Sequence, residues 1–152
     1  MARLLSTGIS HADGTLVESS VTATRAIFGY GDATGGTYVS LTNLVNNYGG
    51  VATDTTGVGT ARSGLAAAGY GGDKAIFGYG QSGIGPTYSS LTNLVSYTGV
   101  VGSDVTGVGT ARYYLAAAGY GTDKAIFGYG TAGTQLSMTN LVSNTGVVSS
   151  DT

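Results

Sequence analysis

The sequence predicts an all-β protein made of three tandem copies of one small four-stranded sheet, and three observations carry that expectation. The stretch Gly57–Gly80, GVGTARSGLAAAGYGGDKAIFGYG, returns as Gly107–Gly130 with only Ser63/Tyr113, Gly64/Tyr114 and Gly72/Thr122 differing. A partial copy, Arg25-Ala26-Ile27-Phe28-Gly29-Tyr30-Gly31, precedes both, so Phe28, Phe77 and Phe127 recur at a period near fifty. A fixed period of that length marks a repeat architecture in which each copy is one supersecondary unit. Within each copy, short apolar runs alternate with glycine turns every dozen residues or so, the spacing of short strands. Glycine and β-branched residues interrupt any helical stripe.

Composition agrees. The chain has 152 residues, 28 of them glycine, with one proline and neither cysteine nor tryptophan. Hydrophobic residues make up 41%, which with the repeat points to an ordered, turn-rich protein rather than low complexity. Charged residues are only 9% and the net charge is −2, so no basic patch offers itself to nucleic acid. No apolar run approaches the length of a membrane span. The absence of cysteine excludes a disulfide scaffold.

We read one repeat domain over residues 1–152: an atypical first repeat, 1–60, a second, 61–110, and a third, 111–152. In the first, Ala2-Arg3 matches Ala61-Arg62 and Ala111-Arg112, but about ten extra residues follow, around His11–Glu18, with Asp13-Gly14 as a turn. Val21–Gly31 reads as a strand with Ala26, Phe28 and Tyr30 on one face. A loop at 32–37 leads to a strand over Thr37–Tyr48, the turn Gly49-Gly50, and Val51–Thr56. The second copy offers Leu65–Tyr70, Lys74–Gly80, a loop with Pro86, Tyr88–Thr98 and Val100–Thr106. The third offers Leu115–Tyr120, Lys124–Gly130, Leu136–Thr145 and Val147–Asp151. The Ala66-Ala67-Ala68-Gly69 strand is small enough for close backbone approach where sheets converge. The Ile-Phe strand carries the apolar payload, and Tyr79, between two glycines, can lie over bare backbone with its hydroxyl toward solvent or a partner.

The order Arg62, then Leu65-Ala66-Ala67-Ala68, then Asp73-Lys74-Ala75-Ile76-Phe77-Gly78-Tyr79-Gly80, followed by Leu91-Thr92-Asn93-Leu94-Val95, resembles the Kelch-type β-propeller repeat. It departs from that pattern where Tyr79 separates Gly78 from Gly80 and where tryptophan is missing. The AIFGYG and TNLVSNTGVV phrases are also similar to GYG-rich repeat proteins of environmental bacteriophages. The Kelch resemblance implies a β-propeller of four-stranded blades, about three per chain. A closed propeller has about four to eight blades. Val147–Thr152 aligns with Val100–Val105, so the chain ends in phase with the Met1-Ala2-Arg3 start of another copy. The expected partner is therefore the chain itself, head to tail, as a six-bladed dimer or an open filament. The alternative fold is a β-trefoil, which also has three four-stranded repeats.

Catalytic chemistry has little to work with. His11 is the only histidine and reads as a loop residue, since a general base needs an orienting acid and a nucleophile. Metal and other cofactors are not expected: there is no cysteine or histidine cluster. Gly69–Asp73 and Gly119–Asp123 echo a calcium-roll pattern, but the fifty-residue spacing makes them hairpin turns. No phosphate-cradling loop is present. Arg62 and Arg112 are read as repeated blade-to-blade ion-pair or hydrogen-bond contacts, with Asp54 and Asp104 each eight residues upstream. Asn43, Asn93 and Asn140 are expected to satisfy backbone groups.

The 11 tyrosines are the remaining hint of binding, because a tyrosine ring can stack on a sugar or anchor an interface. Tyr113 and Tyr114, replacing Ser63 and Gly64, mark a subunit joint or a binding patch. The expected function is non-enzymatic and structural, a module of a virion fibre, appendage or other assembly. The alternative is a carbohydrate-binding lectin using Tyr113, Tyr114, Tyr70, Tyr120, Asn43, Asn93 and Asn140. The location expected is a virion or extracellular surface; because MARLLSTGISHADG lacks an apolar signal core, the cytoplasm is the alternative.

Overall fold

The computed structural model describes residues 25–34 and 36–152, and in them the chain is all-β. Eight strands form three antiparallel sheets, each from consecutive strands of one repeat. The first pairs β1 (Ala26–Ala33) with β2 (Thr37–Val45). The second is ordered β3 (Ala66–Tyr70), β4 (Lys74–Gly78), β5 (Thr92–Val95). The third repeats it with β6 (Ala116–Tyr120), β7 (Lys124–Gly128) and β8 (Thr139–Val142). The expected fourth strand is reduced to bridges on the outer edge: Val45 with Val51 and Thr42 with Thr55, then Val95 with Val101 and Thr92 with Val105, then Val142 with Val148. Thr139 and Thr152 exchange two 2.9 Å backbone hydrogen bonds there. No sheet closes on itself among the described residues, so the barrel of the trefoil alternative does not form in them.

The register is the same in every copy. Phe77 lies opposite Ala67 and Asn93, Phe127 opposite Ala117 and Asn140, and Phe28 opposite Asn43. The core sits between the sheets. One cluster joins the second and third repeats through Tyr70, Ile76, Tyr79, Leu115, Ala125, Phe127 and Val142. Another holds Phe77, Val95 and Val101, with Ile27 and Tyr30 packed on it from the first repeat. The poly-alanine strands approach closely: a Cβ on Gly119 would lie 3.5 Å from the Gly69 carbonyl oxygen.

Several expected strands are shorter than the sequence indicated. β4 stops at Gly78 because Tyr79 adopts φ 64°, the left-handed region, which ends the pleat. β5 and β8 occupy only the centres of Tyr88–Thr98 and Leu136–Thr145, and β2 stops at Val45, before the turn that Asn46 caps by accepting from the Tyr48 and Gly50 amides. β1 is different: it continues through a bulge between Gly29 and Gly31 to Ala33, inside the expected loop. The bulge also breaks the expected alternation, since Tyr30 has φ 65° and leaves the face it would share with Phe28. Residues 21–24, His11, Asp13 and Arg3 lie outside the described residues.

Candidate functional site

The second and third repeats are each introduced by Thr-Ala-Arg and closed by an aspartate, and the fold brings these together on a buried asparagine. In the second repeat Arg62 Nη2 donates to Asn93 Oδ1 at 2.6 Å. Asn93 Nδ2 donates to the Gly102 carbonyl at 3.1 Å and to Asp104 Oδ1 at 2.9 Å. Asp104 accepts from the Thr60 amide (2.9 Å) and the Thr60 hydroxyl (2.7 Å), and lies 3.5 Å from Arg62 Nη1. The third repeat reproduces it: Arg112 to Asn140 at 2.7 Å, Asn140 to Ser149 O and Asp151, and Asp151 with Thr110. Both arginines and both asparagines are fully buried. Buried charge persists only where it is paired and hydrogen-bonded.

This corrects one expectation. Arg62 does not pair with Asp54, nor Arg112 with Asp104. The partner is the aspartate that closes the same repeat, because antiparallel pairing carries the outer edge back beside the asparagine of the third strand. Asn93 and Asn140 do hold backbone carbonyls, as expected, and also orient the ion pair. Asn43 holds the Ala52 carbonyl (3.1 Å) and Asp54 (2.8 Å) in the first repeat.

Electrostatics follow from these contacts. Burial lowers the Arg62 pKa below its ordinary value, opposed by Tyr30 and Asp104, and the guanidinium stays charged. Burial alone would raise Asp104 and Asp151, but donation from Thr60 and Asn93, or Thr110 and Asn140, with the facing arginine, brings both below the usual carboxylate value.

The contact between repeats is aromatic. Tyr79 turns out of its own sheet and lies under the Arg112 guanidinium, 4.2 Å from ring centre to Cζ. Its ring meets Phe127 edge-on at 5.2 Å and its hydroxyl donates to the Val108 carbonyl at 3.1 Å. The Phe127 ring sits on bare backbone, since a Cβ on Gly78 would lie 2.6 Å from its Cζ. Tyr30 does the same to the second repeat: Arg62 at 4.9 Å, Phe77 at 5.2 Å and the Val58 carbonyl at 3.0 Å. Tyr79 therefore reaches a protein carbonyl and not solvent. Tyr30, Tyr79 and Tyr129 all hold positive φ, 65°, 64° and 62°. A bulky residue there is strained, and the strain aims the ring at the next repeat.

The other expected binding residues scatter. Tyr70 is buried at the second joint, and burial raises its pKa. Tyr120 is half exposed and shares with Tyr70, Lys74 and Lys124 a 220 Å³ hollow beside the hairpin turns. Each lysine there is paired with the preceding aspartate, Asp73 or Asp123. Tyr113 and Tyr114 do come together, and Tyr88 joins them. Tyr88 and Tyr113 stack at 5.1 Å, Tyr113 and Tyr114 lie 4.3 Å apart, and Tyr114 is 73% exposed. A second cleft, of 390 Å³, opens at the first joint between Ala26, Ile27, Leu44, Ala75, Val95 and Gly99. Sequence reasoning missed Thr60, Thr110 and Asp151 as members of the networks. The recurrence of Thr-Ala-Arg and Ser-Asp was visible, but not the crossing that joins them.

No family model matches this sequence, and no curated protein matches it. Among solved structures, the structure of YjhT is similar, with a TM-score of 0.60 over 79% of this chain at 15% identity. At that identity the likeness is one of fold. The match spans 39% of the YjhT chain.

Proposed function

We propose that this chain is a non-enzymatic structural protein, a module of four-stranded propeller blades that joins with further copies into a ring or filament of a fibre, appendage or similar assembly. The carrying observation is where the polar residues go. Arg62, Asn93, Asp104 and Thr60, with their third-repeat counterparts, are consumed in bracing each repeat. The likeness to YjhT is one of fold, and that chain is about twice the length of this one. The Kelch-like and phage-like phrases go with the same reading, which places the protein on the outside of a particle. Electron microscopy of purified chain tests it: rings or filaments support the scaffold, and isolated compact particles oppose it.

A second reading has its own observation, the Tyr88–Tyr113–Tyr114 cluster with its exposed Tyr114. An exposed tyrosine presents a flat apolar ring with a polar tip, a surface suited to a sugar ring. Glycan-array binding lost in Tyr114→Ala would favour a lectin; an array without binding would remove that reading.

A further inference from the structure

We infer that the Phe28 edge of the first repeat and the Gly128–Tyr129 edge of the third are two halves of one joint, and that a second copy of this chain occupies it. The inference rests on the scaffold reading and names the contact by which copies would join.

The two internal joints supply the template. At each, a phenylalanine of the later repeat seats on the Gly-Tyr of the earlier one, and the tyrosine hydroxyl donates to a valine carbonyl in the segment that leads into the later repeat. Phe77 and Phe127 are thereby 3% and 0% exposed, and Tyr79 is 0% exposed. The remaining phenylalanine, Phe28, has the same register in its sheet but is 65% exposed. The remaining tyrosine, Tyr129, has the same φ as its counterparts but is 63% exposed. A Cβ on Gly128 would meet only the Thr139 methyl, at 3.5 Å, where Gly78 meets a phenylalanine ring. Among the described residues, the Tyr129 hydroxyl donates to no carbonyl.

One end thus shows the knob and the other the socket, each already shaped by a repeat that uses it internally. A knob and a socket on opposite ends make a heterologous contact, which closes into a ring or runs on as a filament.

The test is light scattering with size-exclusion chromatography on the full chain, with circular dichroism as the check on folding. Phe28→Asp spoils the knob, and Tyr129→Gly removes the socket while relieving the positive φ; Phe28→Ser is a milder knob variant. The unchanged chain is expected at twice 15.0 kDa or a higher multiple, and each variant alone at 15.0 kDa. Mixed one to one, the Phe28→Asp and Tyr129→Gly chains still own one good socket and one good knob, so the mixture recovers a two-chain species. Variants that keep the unchanged chain's mass would overturn this contact and leave the scaffold reading standing. An unchanged chain that stays at 15.0 kDa at every concentration would overturn both.

Discussion

The joint between the first and second repeats and the joint between the second and third use the same residue types, yet the second is the better made. Arg112 lies 4.2 Å from its tyrosine, donates Nε to the Tyr129 carbonyl at 2.8 Å and Nη1 to the Thr110 carbonyl at 3.1 Å. Arg62 lies 4.9 Å from Tyr30, and its Nε and Nη1 have no hydrogen-bond partner among the described residues. At the second joint the Tyr70 ring reaches the turn of the next repeat, where a Cβ on Gly146 would lie 3.0 Å from its Cζ. At the first joint the corresponding turn, around Gly99, borders the 390 Å³ cleft. At the second joint Tyr70 packs on that turn together with Leu94, and at the first Leu44 packs on it.

The largest effect expected separates a seated phenylalanine from an unseated one. Phe127→Ala should cost about 3–5 kcal/mol, since it empties a well-packed site. Phe28→Ala in a chain kept monomeric by Tyr129→Gly should change stability by no more than about 0.5 kcal/mol, as for an exposed position. Urea unfolding measures both, and equal losses would break the comparison.

The arginines come next. Arg112→Met strands Asn140 and Asp151 beside an apolar chain and should cost about 3 kcal/mol, the low end for breaking a buried pair because the carboxylate keeps some contact with solvent. Arg62→Met should cost clearly less, since two of its donors are already unsatisfied and their removal relieves a penalty. A larger loss for Arg62→Met would reverse the ranking of the two joints.

Acidification should weaken both networks. Asp104 and Asp151 have folded pKa values below the unfolded value, so their contribution is complete above the ordinary carboxylate range and is lost as pH falls through the folded value. Stability measured from pH 6 to pH 2 should decline below about pH 4, and Asp104→Asn should flatten part of that decline.

The smallest effect tests the hydroxyl bonds. Tyr79→Phe leaves the half-buried hydrogen bond to the Val108 carbonyl unmade and should cost about 1 kcal/mol, with Tyr30→Phe costing less because its bond is exposed.

Much of this architecture was legible in the residues, and the reasons are local. The recurrence of AIFGYG placed β1, β4 and β7, and the glycine-aspartate turns placed the hairpins, because alternation and turn chemistry act within a few residues. The Arg62–Asp104 pair was not legible. Asp54, eight residues upstream, is nearer in sequence, and only the antiparallel return of the outer edge brings Asp104 to Arg62. The left-handed tyrosines were equally hidden, since propensity argues against φ near 64° for a bulky residue. At Tyr30 and Tyr79 the ring is then held between Phe77 or Phe127 and a guanidinium, while Tyr129 keeps the same φ without them. Tyr113 and Tyr114 stood out by replacing Ser63 and Gly64, but their stack with Tyr88 depends on a bridge between Gln81 and Tyr88. Asn93 and Asn140, read as possible ligand contacts, are enclosed by the ion pairs they orient.

The central claim is that one joint, made twice inside the chain, is left half-made at each end and is completed by another copy. Native mass spectrometry of the unmodified chain over a concentration series addresses it directly. The account predicts species at multiples of 15.0 kDa. A spectrum holding only the 15.0 kDa chain at the highest concentration would contradict it.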